Sequence, residues 1–125
     1  MIVGAGIDLV ETERIRRTLA RFGRRFLERV FTEGEISYAG RKHDPAERYA
    51  ARFAAKEAAM KAIGTGWRGG VRWRDFEVAN RSSGKPELIF HGRAARIAAA
   101  LGVRRCTLSL THTKGQALAV VILED

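Results

Sequence analysis

The sequence predicts an α+β protein in which a largely antiparallel sheet packs against helices. Apolar residues recur at helical spacing between residues 12 and 63, whereas after residue 75 they alternate with polar residues, as in half-buried strands. The 125 residues contain no linker, repeat or low-complexity tract. Residues 1–125 are therefore expected to form a single domain that is large enough to bury a core.

The first element is predicted to be a strand, MIVGAGIDLV, in which Ile7 and Leu9 share one face and Asp8 lies on the other. A carboxylate at such a position is either a turn or cap residue or part of a binding site. A helix follows, and its apolar stripe consists of Ile15, Leu19 and Phe22. Beside it lies a second stripe, called the basic stripe below, which consists of Arg14, Arg17 and Arg21.

Two capping-box signatures mark the starts of later helices: Thr32 with Glu35, and Asp44 with Glu47. The second signature has Pro45 at the first helical position, so a long helix is predicted from Pro45 to Ile63. The remaining predicted elements are the strand at 76–79, the turn SSGKP, the strand ELIF, the helix ARIAAALG, the strand at 106–111, the turn HTKGQ and the strand ALAVVIL.

The long helix is unusually rich in alanine, which loses no side-chain entropy in a helix but offers little apolar area. Such a helix packs by close backbone approach to its neighbour. Glu57 and Lys61 have the spacing of a surface ion pair, which is one explanation for them. However, Glu57 lies on one stripe with Phe53, Met60 and Gly64, the residues expected to face the core.

Carboxylates from two separate elements can hold magnesium together with substrate phosphates and waters. Asp8 and Glu57 are candidates for such a pair, and Lys61 is a candidate contact for a phosphate oxygen. His112, at the end of a predicted strand, is either structural or part of a binding site.

The net charge of +9 favours an acidic partner but does not identify its class. The single cysteine excludes an internal disulfide and a cysteine zinc site. The apolar N-terminus is too short to span a bilayer and lacks the features of a signal peptide, so a cytoplasmic protein is expected.

Five segments, in order, resemble the holo-acyl-carrier-protein synthase family, the short bacterial 4′-phosphopantetheinyl transferases. They are GIDLVE at 6–11, FTEGEISYA at 31–39, RFAAKEAAMKAIGTG at 52–66, NRSSGKPELIFHG at 80–92 and SLTHTKGQALAVVI at 109–122. The resemblance implies the fold of that family and transfer of 4′-phosphopantetheine from coenzyme A to a serine of apo-acyl carrier protein, in support of fatty acid biosynthesis. Adenosine 3′,5′-bisphosphate is the second product.

The resemblance also implies roles for residues. Asp8 and Glu57 match the family's magnesium-binding carboxylates, and Lys61 matches the lysine on the coenzyme A phosphates. These three are the catalytic candidates. The implied coenzyme A contacts are Arg52, Lys61, Gly64, Gly66, Gly84, Lys85, Pro86 and His112. The family is a homotrimer with sites between subunits, so residues 84–86 and His112 are expected to complete the site of an adjacent chain.

Acyl carrier proteins are acidic, and the family docks them on the first helix, where Arg14 and Arg21 match the docking positions best and Arg17 and Arg24 match less well. A solvated face is the other explanation of the basic stripe.

Two other classes of protein would explain part of the sequence. A nucleic-acid binder would explain the charge but lacks a recognisable motif, and a non-enzymatic trimeric scaffold would leave Lys61 and its neighbouring glycines unexplained. No nucleic-acid or membrane partner is expected.

Overall fold

The strands and helices occur in an order that brings the two ends of the chain together. A computed structural model describes all residues, 1–125. The elements are β1 (Ile2–Glu11), α1 (Thr12–Phe22), α2 (Arg24–Val30), α3 (Glu33–Ala39), α4 (Ala46–Ala62), a 3₁₀ turn (Trp73–Asp75), β2 (Phe76–Asn80), β3 (Pro86–Phe90), α5 (Gly92–Ala100), β4 (Arg105–His112) and β5 (Gln116–Glu124). The predicted α+β class is confirmed, and no helix is both long and apolar enough to cross a membrane.

All strand pairings are antiparallel. The main sheet has the order β1-β5-β4, and β2 and β3 form a separate hairpin. In the main sheet Asp8 lies opposite Ala119. The N-terminal amino group is 2.6 Å from Oδ1 of Asp125, as expected from the pairing of the first strand with the last.

Helix α4 lies directly on the backbone of β1. A Cβ atom added at Gly6 would lie 1.9 Å from the carbonyl oxygen of Ala58, and one added at Gly4 would lie 2.1 Å from that of Ala62. The alanine-rich surface of α4 thus meets a strand that also lacks side chains at the contact. This explains the composition of α4, because any larger side chain at the contact would separate the two backbones.

The two faces of β1 have opposite environments. Gly6, Asp8 and Val10 face α4, whereas Ile7 and Leu9 lie on the other face and are 57% and 55% exposed. The predicted alternation is correct, but the face that carries the carboxylate is the one that packs. The apolar face is left uncovered by the rest of the chain.

The two predicted capping boxes have different outcomes. In the first, the Thr32 hydroxyl accepts a hydrogen bond from the Glu35 amide, and the Glu35 carboxylate accepts one from the Thr32 amide. The second is not formed, because α4 begins at Ala46 with Pro45 at the N-cap position, one residue later than the signature predicts. Asp44 instead pairs with Arg16, at 2.8 Å, and accepts a long hydrogen bond of 3.4 Å from the Ala46 amide. The predicted extent of α4 is otherwise confirmed to within one residue at each end.

Candidate active site

Asp8 and Lys61 meet where β1 passes the C-terminal half of α4. Lys61 Nζ is 3.1 Å from Asp8 Oδ1 and donates a hydrogen bond of 2.9 Å to the carbonyl oxygen of Ile7. Lys61 therefore pairs across two elements and not with Glu57, as a surface ion pair within the helix would require. Asp8 lies inside a paired strand, which excludes a turn or cap role for it.

Glu57 is half-buried beside this pair. Burial raises the pKa of its carboxyl, and the negative charge of Asp8 raises that pKa further, whereas Arg14 and Lys61 lower it. The charges of Asp8, Lys61 and Arg14 all act on the Glu57 carboxyl, so these four side chains form one charged cluster. Asp8 disfavours the ionisation of Glu57, and a divalent cation between the two carboxylates would offset this repulsion.

The donor set of this cluster fits magnesium. No group of three or more histidine, cysteine, aspartate or glutamate side chains gathers anywhere in the structure. The protein can therefore supply two carboxylate ligands here, from Asp8 and Glu57. Magnesium sites of this kind take their other ligands from substrate phosphates and waters.

A second feature is a cavity of about 340 Å³ between α3, α4, the β2–β3 hairpin and β4. Its lining includes Lys42, Arg48, Arg52 and His112, against one carboxylate, that of Glu47. A concave site of this size with an excess of positive charge suits a small polyanion.

Arg52 is the most buried of these cations, at 4% exposure. Its guanidinium lies 4.4 Å from the centre of the Tyr38 ring and donates a hydrogen bond of 2.5 Å to Oδ1 of Asn80. Burial lowers the pKa of Arg52, and its Nε has no hydrogen-bond partner. Arg52 therefore contributes a buried positive charge to the wall of the cavity.

The other predicted coenzyme A contacts lie in two turns. Gly64 follows the end of α4 with a φ of 80°, and Gly66 has a φ of 53°. Gly84 has a φ of 89° in the β2–β3 turn, and its carbonyl accepts a hydrogen bond from Asn80, the residue that also holds Arg52.

The predicted residues thus form two separate groups within one chain. Asp8, Glu57 and Lys61 form one, and Arg52 shares the cavity with Pro86 and His112. Nine residues of helix separate Arg52 from Lys61, a rise of about 14 Å. His112 is half-exposed, and its Nδ1 is 3.7 Å from the Glu47 carboxylate.

The basic stripe is exposed and carries unneutralised charge. Arg14, Arg17 and Arg21 form no ion pair, although Arg14 lies 5.8 Å from the centre of the Phe53 ring. Arg24, by contrast, pairs with Glu28 at 2.9 Å. The structure therefore favours the three arginines of the stripe over Arg24 as contacts for an acidic partner.

The sequence analysis missed a buried ion pair next to the site. Lys56 Nζ is 2.8 Å from Glu35 Oε1, and both side chains are 0% exposed. One signal pointed to it, a lysine within an otherwise apolar run of alanines directly before Glu57.

The two tryptophans pack on the first half of α4. Trp73 stacks on Phe53, and Trp67 packs edge-on against Trp73.

Comparison with known proteins gives consistent matches over the whole chain. A family model described as the 4′-phosphopantetheinyl transferase superfamily matches residues 4–121. The chain is 61% identical to the holo-[acyl-carrier-protein] synthase of Solibacter usitatus, with 100% of both chains covered. It resembles the crystal structure of holo-[acyl-carrier-protein] synthase from Neisseria meningitidis with a TM-score of 0.91 and 36% identity over 100% of both chains. It also resembles a holo-(acyl-carrier-protein) synthase from Bacillus anthracis in complex with CoA (3′,5′-ADP), with a TM-score of 0.81 and 40% identity over 98% of this chain and 96% of that one.

Proposed function

The chain belongs to the 4′-phosphopantetheinyl transferase superfamily, and from this premise we propose how its residues divide the work of transfer. The protein is a transferase that moves the 4′-phosphopantetheine group of coenzyme A to a serine of apo-acyl carrier protein. The products are holo-acyl carrier protein and adenosine 3′,5′-bisphosphate. One observation supports this assignment of roles. Lys61 of α4 pairs with Asp8 of β1, and the charges of both residues act on the carboxyl of Glu57.

In this proposal Asp8 and Glu57 hold magnesium. When bound, magnesium supplies positive charge to the diphosphate oxygens and offsets the charge on the leaving bisphosphate. Lys61 adds a second cation at the same place, which matters because positioning and charge neutralisation supply most of the catalysis in phosphoryl transfer. The serine must lose a proton, and Glu57 or a water in the site accepts it.

We assign the anionic nucleotide part of coenzyme A to the cavity that Arg52, Pro86 and His112 line. The buried positive charge of Arg52 and the excess of cations around the cavity support this assignment. Gly64 and Gly66 have open space where a side chain would be, so the ligand can approach the backbone there. Gly84 and Lys85 belong to the turn that Asn80 links to Arg52.

We further propose a homotrimer in which residues 84–86 and His112 of one subunit complete the Asp8–Glu57 site of another. Two observations support it: the two groups of site residues lie apart in one chain, and the outer face of the main sheet leaves Ile2, Ile7 and Leu9 exposed. An uncovered apolar face of this kind is typical of an interface. A cytoplasmic location is part of the proposal, because the one cysteine is unpaired.

The reaction itself gives the direct test. Incubation of the protein with coenzyme A, magnesium and apo-acyl carrier protein should consume coenzyme A and raise the mass of the carrier by one phosphopantetheine group. Neither change should occur when the carrier is omitted or when magnesium is chelated. An unmodified carrier under all conditions would favour a non-enzymatic scaffold, and salt-sensitive binding of duplex DNA in its place would favour a nucleic-acid protein.

The basic stripe is proposed to dock the acidic carrier. Exposed charges are screened beyond about 8 Å at physiological salt, so the KM for the carrier should rise with salt in the wild type. Arg21→Glu should raise that KM several-fold at low salt, whereas the KM for coenzyme A should change little. Arg96→Glu, an equal charge reversal on the exposed face of α5, is the control and should leave both constants near wild type. An unchanged KM for the carrier in Arg21→Glu would identify the stripe as a solvated face, and equal losses for the two substrates would contradict a role specific to the carrier.

A further inference from the structure

The buried pair of Lys56 and Glu35 satisfies every polar atom it contains. The Lys56 ammonium has three donors and three acceptors around it: the Glu35 carboxylate and the carbonyl oxygens of Trp73 and Phe76. The Glu35 carboxylate also accepts hydrogen bonds from the amides of Thr32, at 2.8 Å, and Val78, at 2.9 Å. The pair therefore ties α4 to α3, to the 3₁₀ turn and to β2.

Stability alone does not account for this arrangement. Burial strongly disfavours charge, and a buried ion pair is commonly no more stabilising than an apolar pair of the same volume. Burial lowers the pKa of Lys56 and the Glu35 charge opposes that change. Unlike an apolar pair, an ion pair fixes the direction of its side chains, because each hydrogen bond must point at its acceptor.

The contact between α4 and β1 does little to fix the rotation of the helix. It is made of alanines against Gly4 and Gly6, which limits the distance between the backbones but offers few protruding side chains to interlock. Phe53, stacked on Trp73, holds the first half of α4, and Lys56 adds directed hydrogen bonds directly before Glu57. Successive residues of a helix are rotated by about 100° around its axis. The direction of Lys56 therefore fixes the direction of its neighbour Glu57, and also that of Lys61, which lies one turn after Glu57.

We infer that the Lys56–Glu35 pair is a positioning device, which holds α4 at the rotation that points Glu57 and Lys61 toward Asp8. Neither residue of the pair contacts the substrate in this assignment. The inference rests on the proposed function, since it concerns the orientation of the proposed magnesium carboxylate. Two adjacent residues then have different roles, because Lys56 points into the core and Glu57 points into the proposed site.

The test is to replace the pair by apolar residues of similar size, in the double variant Glu35→Leu with Lys56→Met. We expect the variant to fold and to melt cooperatively. Its kcat should fall at least about tenfold. The KM for coenzyme A should change less, by under about threefold, because Arg52 is held separately by its hydrogen bond to Asn80. Magnesium affinity, measured by calorimetry with adenosine 3′,5′-bisphosphate present, should fall by about tenfold or more without any reliance on activity.

Controls separate positioning from general destabilisation. Leu123→Ala, a buried truncation on β5, lowers stability by another route and should keep the kcat and the magnesium affinity of the wild type while folded. A folded double variant with wild-type kcat and magnesium affinity would overturn the inference. Should the double variant not fold, Lys56→Met alone decides in the same way, since a Glu35 carboxyl without its cation can bind a proton, stay neutral and still accept from the amides of Thr32 and Val78.

Failure of the proposed magnesium site gives a different pattern. Asp8→Asn is titrated with magnesium alongside the pair variant. If Asp8→Asn binds magnesium as tightly as the wild type, the proposed metal site is wrong. If Asp8→Asn loses magnesium and the pair variant retains it, the metal site stands and only the positioning role of Lys56 and Glu35 fails.

Discussion

Asp8→Asn and Glu57→Gln should each lower the rate of phosphopantetheine transfer about a thousandfold at saturating magnesium, which corresponds to about 4 kcal/mol of activation free energy. The physical reason is that each variant removes one of the two negative charges available to the metal at this site. Asp8→Asn also removes the partner of Lys61, whose ammonium is 3.1 Å from the carboxylate. The rate is measured by the mass change of the carrier.

Both substitutions preserve side-chain shape, so circular dichroism and thermal melting should remain close to those of the wild type. Glu13→Gln, an equal charge change on the exposed side of α1, is the matched control and should retain full activity. Near wild-type turnover in either site variant at saturating magnesium would show that two carboxylates do not share the metal.

Gly6→Ala should cost about 3 kcal/mol of folding free energy, although it adds only one carbon atom. The added Cβ would lie 1.9 Å from the carbonyl oxygen of Ala58, and a backbone atom in the middle of a helix cannot move aside as the end of a side chain can. For a domain of this size the midpoint of thermal unfolding should fall by about 10 °C. Calorimetry or a far-ultraviolet melt would measure the change.

Gly115→Ala is the matched control for this prediction. A Cβ at Gly115 meets no atom within 4 Å, and this glycine does not have a positive φ. The same chemical change should therefore leave the melting temperature within about 2 °C of the wild type or raise it slightly, because alanine reduces the entropy of the unfolded chain. Equal losses in the two variants would mean that the α4–β1 contact is not the cause.

Local sequence signals predicted the elements of this fold well. The run of alanines gave α4 its length, the Thr32–Glu35 box marked the start of α3, and alternation identified β1. These features depend on neighbours within one or two turns. The Asp44–Glu47 box is not formed because α4 begins one residue later, with Pro45 at the N-cap position, and Asp44 pairs with Arg16, which is distant in sequence.

Contacts between distant elements account for what the sequence did not reveal. Alternation in β1 separates Asp8 from Ile7 and Leu9, but which face packs depends on α4, whose alanines need the glycine-bearing face. The burial of Lys56 could not be predicted from its neighbours in the sequence, because its hydrogen-bond acceptors come from α3, the 3₁₀ turn and β2. Motif resemblance predicts Asp8, Glu57 and Lys61 as site residues, whereas the pairing of Lys61 with Asp8 is seen only in the structure.

The pairing of β1 with β5 also has a consequence for the folding of the protein. Strand β5 lies between β1 and β4, so neither of the outer strands has a partner in the main sheet until β5 has paired. Asp8 and Ala119 lie opposite each other although they are far apart in the sequence. The main sheet therefore forms through long-range contacts, and its closure is expected to be a slow step in folding.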